Sequence, residues 1–170
     1  MFLRTCHTSL FSLFASLVLF TAACGDEIGD ECALSSDCSP TGDRICDTTS
    51  PGGYCTVLGC DVGTCPDEAV CVRFFPVTET NRVCDPAAED RTENACTSDE
   101  ICTLSGACAP RNSEVRFCMK TCGAGDDCRS EYECRTEALM IEHGGEPVPA
   151  AGESTGSNLQ RFCAPAPVPE

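Results

Sequence analysis

Residues 96–134 read Cys96-TSDEI-Cys102-TLSGA-Cys108-APRNSEVRF-Cys118-MKT-Cys122-GAGDD-Cys128-RSEYE-Cys134. A cysteine recurs every few residues, with small and acidic residues between and an aromatic just before Cys118. No catalytic constellation is visible in this stretch. Extended in both directions, the pattern takes in sixteen cysteines in four groups: Cys32, Cys38, Cys46, Cys55; Cys60, Cys65, Cys71, Cys84; Cys96, Cys102, Cys108, Cys118; and Cys122, Cys128, Cys134, Cys163. Offsets between the halves are nearly constant: 64 from Cys32 to Cys96, and 63 for Cys55–Cys118, Cys65–Cys128 and Cys71–Cys134. Only Cys84–Cys163, at 79, departs, through an insertion ahead of Cys163. Such periodicity is the mark of an internal duplication of paired four-cysteine units.

Composition decides what these cysteines do. Beyond residue 23 the chain has 147 residues and 17 cysteines, while Leu, Ile, Val and Phe number only 22. A fraction that low with high net charge reads as disorder, yet cysteine this dense reads as a disulfide scaffold. Crosslinks restrict the unfolded chain and so replace part of what a core supplies. Zinc sites favour Cys-x2–4-Cys pairs with His partners; here there is no Cys-x2-Cys, and beyond residue 23 the one histidine is His143. Disulfides are therefore expected for all sixteen. Four cysteines allow three pairings, which spacing does not separate; the pairing adopted is first-to-third and second-to-fourth within each group. The expected fold is small and disulfide-rich, with short β-hairpins, irregular loops and little regular secondary structure.

The N-terminus addresses the chain. Arg4 opens a mildly basic start, Ser9–Phe20 is a 12-residue apolar run, and Thr21, Ala22, Ala23 and Cys24 follow. The run is too short to span a bilayer, which needs about 20 residues, and fits a signal h-region. Small residues ahead of a cysteine resemble the lipobox of bacterial prolipoproteins, although Thr21 stands where Leu is commoner. The resemblance implies diacylglyceryl transfer to the Cys24 thiol, cleavage after Ala23 and N-acylation. The alternative is ordinary secretory cleavage with Cys24 in a disulfide. Parity favours the first, since removing Cys24 leaves sixteen. Gly25 rather than Asp after Cys24 implies, by the same resemblance, outer-membrane sorting. The cysteine spacing from Cys32 to Cys163 also resembles units of the Dickkopf N-terminal and whey-acidic-like types.

The expected organisation is a signal at 1–23, an acidic flexible tether at 24–31, module one at 32–84 and a linker at 85–95. Module two spans 96–163, with a mobile loop at 142–158, and a proline-rich extended tail follows at 164–170. Tyr54 to Leu58 reads as a strand, Val72–Val83 as two strands about a turn near Thr80–Asn81, and Glu131–Ile141 as helical. The closing cysteines follow Tyr54, Val83, Phe117 and Phe162, a large side chain for each mini-core. Phe74 and Phe75 are either core or an exposed patch, with core the better reading.

The net charge of −16 argues against nucleic acid and against side-chain adsorption to an anionic membrane. His143 alone gives a poor start for a catalytic triad, so no enzyme, catalytic residue, cofactor or metal is expected. Asp26, Glu27, Asp30 and Glu31, or Asp126 and Asp127, offer oxygens to calcium, but without EF-hand spacing. The expectation is a lipid-anchored envelope protein for binding or surface display, meeting the membrane through its anchor and an extracellular protein or peptide. The alternatives are a whey-acidic-like protease inhibitor or peptide binder, and a calcium-binding surface protein.

Overall fold

The structure, a computed structural model, describes residues 26–76, 82–87 and 96–168. The signal, Cys24, the turn near Thr80–Asn81 and most of the linker lie outside the described residues. All sixteen cysteines from Cys32 to Cys163 are joined in eight bridges. The fold is small, disulfide-rich and built of short antiparallel strands.

The bridges are Cys32–Cys46 and Cys38–Cys55, Cys60–Cys71 and Cys65–Cys118, Cys84–Cys102 and Cys96–Cys108, Cys122–Cys134 and Cys128–Cys163. First-to-third, second-to-fourth pairing therefore holds in the first and last groups as read from sequence. The middle two groups must be regrouped. Cys60, Cys65, Cys71 and Cys118 form one unit, and Cys84, Cys96, Cys102 and Cys108 another, inserted whole between the third and fourth cysteines of the former. With that correction all four units obey one rule. Bridges Cys65–Cys118 and Cys84–Cys102 also cross residues 85–95, so that segment lies inside a unit.

One geometry repeats in each unit. The third and fourth cysteines face each other across an antiparallel ladder. In unit I, β1 (Ile45–Cys46) pairs with β2 (Cys55–Thr56), setting Cys46 against Cys55. In unit II, β3 (Ala69–Phe74) pairs with β6 (Val115–Lys120), setting Cys71 against Cys118. Unit III sets Cys102 against Cys108 through β4 (Glu100–Cys102) and β5 (Cys108–Pro110). Unit IV sets Cys134 against Cys163 through β7 (Tyr132–Arg135) and β9 (Phe162–Pro165). Each facing pair is then tied back to the unit's first and second cysteines, so one hairpin carries both bridges. A two-stranded hairpin is marginal by itself in water; the bridges and the neighbouring units supply what it lacks. Two short α-helices flank these ladders, α1 (Ser35–Cys38) and α2 (Glu137–His143), the latter starting later than the sequence suggests because Tyr132–Arg135 is drawn into the ladder with β9.

The units are not beads on a string. Ile28, Tyr54, Val72, Met119, Tyr132, Met140, Val148 and Phe162 belong to one buried cluster shared by units I, II and IV. Phe162 is fully buried, which contributes about 1.5–3 kcal/mol. Tyr54, Phe117 and Phe162, each preceding a fourth cysteine, all pack in this core. Val83 does not; it is 83% exposed. The nesting explains the exception, because Cys84 is the first cysteine of unit III and no mini-core closes there.

Three segments read as loose are packed. In the expected tether, Ile28 is fully buried, Gly29 donates its N–H to the Cys55 carbonyl at 2.9 Å, and Asp30 accepts from the Cys55 amide at 3.0 Å. In the expected mobile loop, β8 (Glu146–Pro147) adds to β3 and makes the central sheet three-stranded, in the order β6-β3-β8. Val148 is buried and its amide donates to Cys71 at 2.9 Å, while Thr155 is also buried. In the expected tail, Ala164 and Pro165 pair with Glu133 and Tyr132. Each segment has few apolar residues, but long-range hydrogen bonds capture its backbone. Gly145 exposes how tight the fit is: its φ is +77°, and a Cβ there would lie 2.5 Å from Phe74 Cε1. Gly145→Ala is expected to lower stability by about 2 kcal/mol, read from urea unfolding. A change within about 0.5 kcal/mol would mean the segment is as loose as its composition suggests.

Candidate binding cleft

Two clefts meet at His143, at the C-terminal end of α2. The first, about 290 Å³, lies where units I, II and IV come together. The period-2 alternation of β3 and β6 sets Val72, Phe74, Phe117 and Met119 on one face of the sheet. Phe74 and Phe117 meet edge to face, centroids 6.2 Å apart, and Phe74 meets Phe162 the same way at 6.3 Å. Phe74 and Phe117 are half-buried, so each ring is shared between core and cleft. Ser50, Tyr54 and Thr56 of unit I, Pro165 of β9, and Asp47, Arg135 and His143 complete the lining. The second cleft, about 390 Å³, lies between residues 103–107 of unit III and residues 140–146, with Phe75 on its wall.

The polar groups of the first cleft are held in place. Asp47 accepts from Thr49 N at 3.0 Å, Thr49 Oγ1 at 2.6 Å and Ser50 Oγ at 2.8 Å, an Asx-type turn that fixes its carboxylate. Arg135 Nε donates to Glu133 Oε1 at 3.1 Å, and its terminal nitrogens donate to the carbonyls of His143, Gly144 and Pro165 at 3.1, 2.6 and 3.0 Å. Burial pulls Arg135 below the usual arginine range, with Glu133 opposing. Glu133 Oε1 also lies 2.7 Å from His143 Nδ1. The Tyr54 hydroxyl accepts from Lys120 N at 2.9 Å and donates to the Cys163 carbonyl at 3.3 Å, and burial pushes its phenol well up. Tyr54 stacks on Tyr132, centroids 5.4 Å apart, and Arg129 lies over Tyr132 at 4.3 Å and over Tyr54 at 5.7 Å.

On the sheet's other face a buried ion pair ties three units together. Arg73 Nε donates to Glu146 Oε1 at 2.8 Å, and both side chains are almost fully buried. Burial pushes the Glu146 carboxyl up, while Arg73 and the Leu104 amide pull it down.

Two of the calcium candidates, Asp30 and Asp127, take part in local turns. Asp30 accepts from Glu27 N at 2.9 Å. Asp127 accepts from Gly123 N and Ala124 N, at 2.7 and 2.9 Å, in the same way that Asp37 accepts from Ala33 and Leu34. Those amides hold the carboxyls of Asp127 and Asp37 below the usual range. The acidic residue just before the second cysteine is thus a local turn cap in units I and IV. Among the described residues, the close sulfur clusters are disulfides and offer no thiolate to a metal.

Of the residues singled out from sequence, the structure brings Phe74, Tyr54, Phe117 and His143 to one cleft. Phe75 goes instead under Arg73, 5.6 Å from ring centroid to guanidinium. Sequence reasoning missed Asp47, Arg135 and the Arg73–Glu146 pair. An arginine inside the apolar run VRFF was the one local hint of a buried partner. The chain matches no protein-family model, no curated protein and no solved structure.

Proposed function

We propose that this chain is a non-enzymatic binding module displayed in the cell envelope on a lipid anchor at Cys24, in the outer membrane where the cell has one. Eight bridges belong to an oxidising compartment, and the protein is accordingly an exported one. No described helix is long and apolar enough to cross a membrane. The observation that carries the anchor is that Cys32–Cys163 satisfy one another completely, leaving Cys24 to other chemistry directly after a short apolar run and two alanines. Several acyl chains hold a protein at a membrane where one alone is marginal. The binding role is supported by a pocketed, crosslinked surface on which the polar groups of the first cleft are held by hydrogen bonds.

Replacing Cys24 with alanine is expected to move the protein from the membrane to the soluble fraction. Intact mass of wild-type protein is expected to show acyl groups on Cys24 and, after reduction, two added hydrogens per bridge. Membrane retention of C24A would overturn the anchor.

A further inference from the structure

The cleft between units I, II and IV points to one ligand chemistry, and we propose that it takes an ammonium group carrying apolar substituents. The proposal rests on the binding reading above and is independent of the anchor. Its cavity of about 290 Å³ is at the small end of ligand pockets, which run from about 300 Å³, and suits a head group or one side chain. Phe74 and Phe117 line it as half-buried rings, while Tyr54, already stacked on Tyr132 and carrying Arg129, and Met119 add buried apolar wall. Aromatic faces carry the negative part of the ring quadrupole and attract cations, most strongly where water is excluded.

The charges in the lining agree. Arg135 is the one permanent cation there, and it is spent. Four of the five guanidinium N–H groups already bond to Glu133 and three carbonyls, and Glu133 neutralises its charge. Asp47 is the one carboxylate of the lining, pinned by its turn at the cleft wall, and His143 faces Glu133 through Nδ1 at 2.7 Å. An anion would meet Asp47 without a free guanidinium to receive it. A cation gains from Asp47, from the rings and from the field of a chain with net charge −16. The apolar walls require that the cation bring carbon with it, since a bare hydrated ion would lose water without replacement.

Such a group comes from two sources, a small quaternary ammonium compound or a lysine side chain of a basic protein. NMR titration of the folded protein with choline and with Nα-acetyl-lysine N-methylamide separates them. At least one is expected to saturate shifts at Asp47, Phe74 and Phe117 in the millimolar range. The tighter of the two names the source. The neutral isostere of choline, 3,3-dimethylbutanol, is expected to bind about tenfold more weakly. Phe117→Leu should weaken the cation several-fold, and so should D47N, whose remaining oxygen still accepts from Thr49 while its amide donates to the Ser50 hydroxyl in place of accepting from it; urea midpoints close to wild type show that both variants are folded. Equal binding of the neutral alcohol, no loss in D47N, or no saturable shift with either cation would overturn the proposal. None of those results would bear on the Cys24 anchor.

Discussion

Replacing Cys65 and Cys118 together by alanine is expected to cost up to about 4 kcal/mol, more than removal of Cys96–Cys108, for which loop closure gives about 3 kcal/mol. The difference comes from the unfolded chain. Cys65 and Cys118 are 53 residues apart, against 12 for Cys96 and Cys108, and the entropy removed by a crosslink grows with the logarithm of the loop. The figure is a ceiling, because Cys84–Cys102 and Cys96–Cys108 lie inside that loop and shorten it. The native state should change little, since the β3–β6 ladder already holds Cys71 opposite Cys118. Urea unfolding of the two double variants, each with its other seven bridges intact, measures the order. Equal losses would contradict the nesting, as would a Cys65-containing peptide linked to any cysteine other than Cys118.

That nesting marks the limit of what cysteine spacing reveals. The pairing rule is legible, because four cysteines with a shared rhythm imply a shared hairpin. The grouping is not, because an insertion between third and fourth cysteines looks from sequence like the start of the next unit. Two residues carried the correction. Val83 is the one non-aromatic residue at a supposed closing position, and Cys84 stands 12 residues before Cys96, whereas first-to-second gaps elsewhere are 5 or 6. The packed segments were hidden for a different reason. Ile28 is one apolar residue in an acidic run, and β8 is two residues long with a proline. Pro147 is tolerated because β8 is an edge strand needing no outward amide, and nothing local announces that Glu146 has a partner 73 residues away. The candidate cleft follows the same logic: its rings are readable as core candidates, but Asp47 and Arg135 reach it only through the shared core of three units.

The largest single-residue loss is expected from Glu146→Ala, about 3–5 kcal/mol, the range for removing one partner of a buried ion pair. Glu146 Oε1 lies 2.6 Å from Arg73 Nη2, and Oε2 accepts the Leu104 amide of unit III. Arg73 Nη2 also donates to Thr155 Oγ1 at 2.9 Å, which in turn donates to the Cys102 carbonyl at 3.1 Å. One carboxylate thus joins β3, the inserted unit and the segment before Cys163. Alanine strands a charged guanidinium among buried groups and orphans an amide, and an uncompensated buried charge costs far more than a lost surface contact. The pair itself need not be worth that much, because desolvating both ions offsets most of their attraction. The double variant R73M/E146M should therefore recover much of what E146A loses, giving strong non-additivity in a cycle read from urea midpoints. Hydrogen exchange at Leu104 separates the two parts of the effect: its amide should lose protection in both E146A and the double variant, while global stability returns only in the second. Additive losses, with R73M/E146M worse than either single change, would show that the ion pair is a net source of stability and that its role as a latch between units II, III and IV has been misjudged.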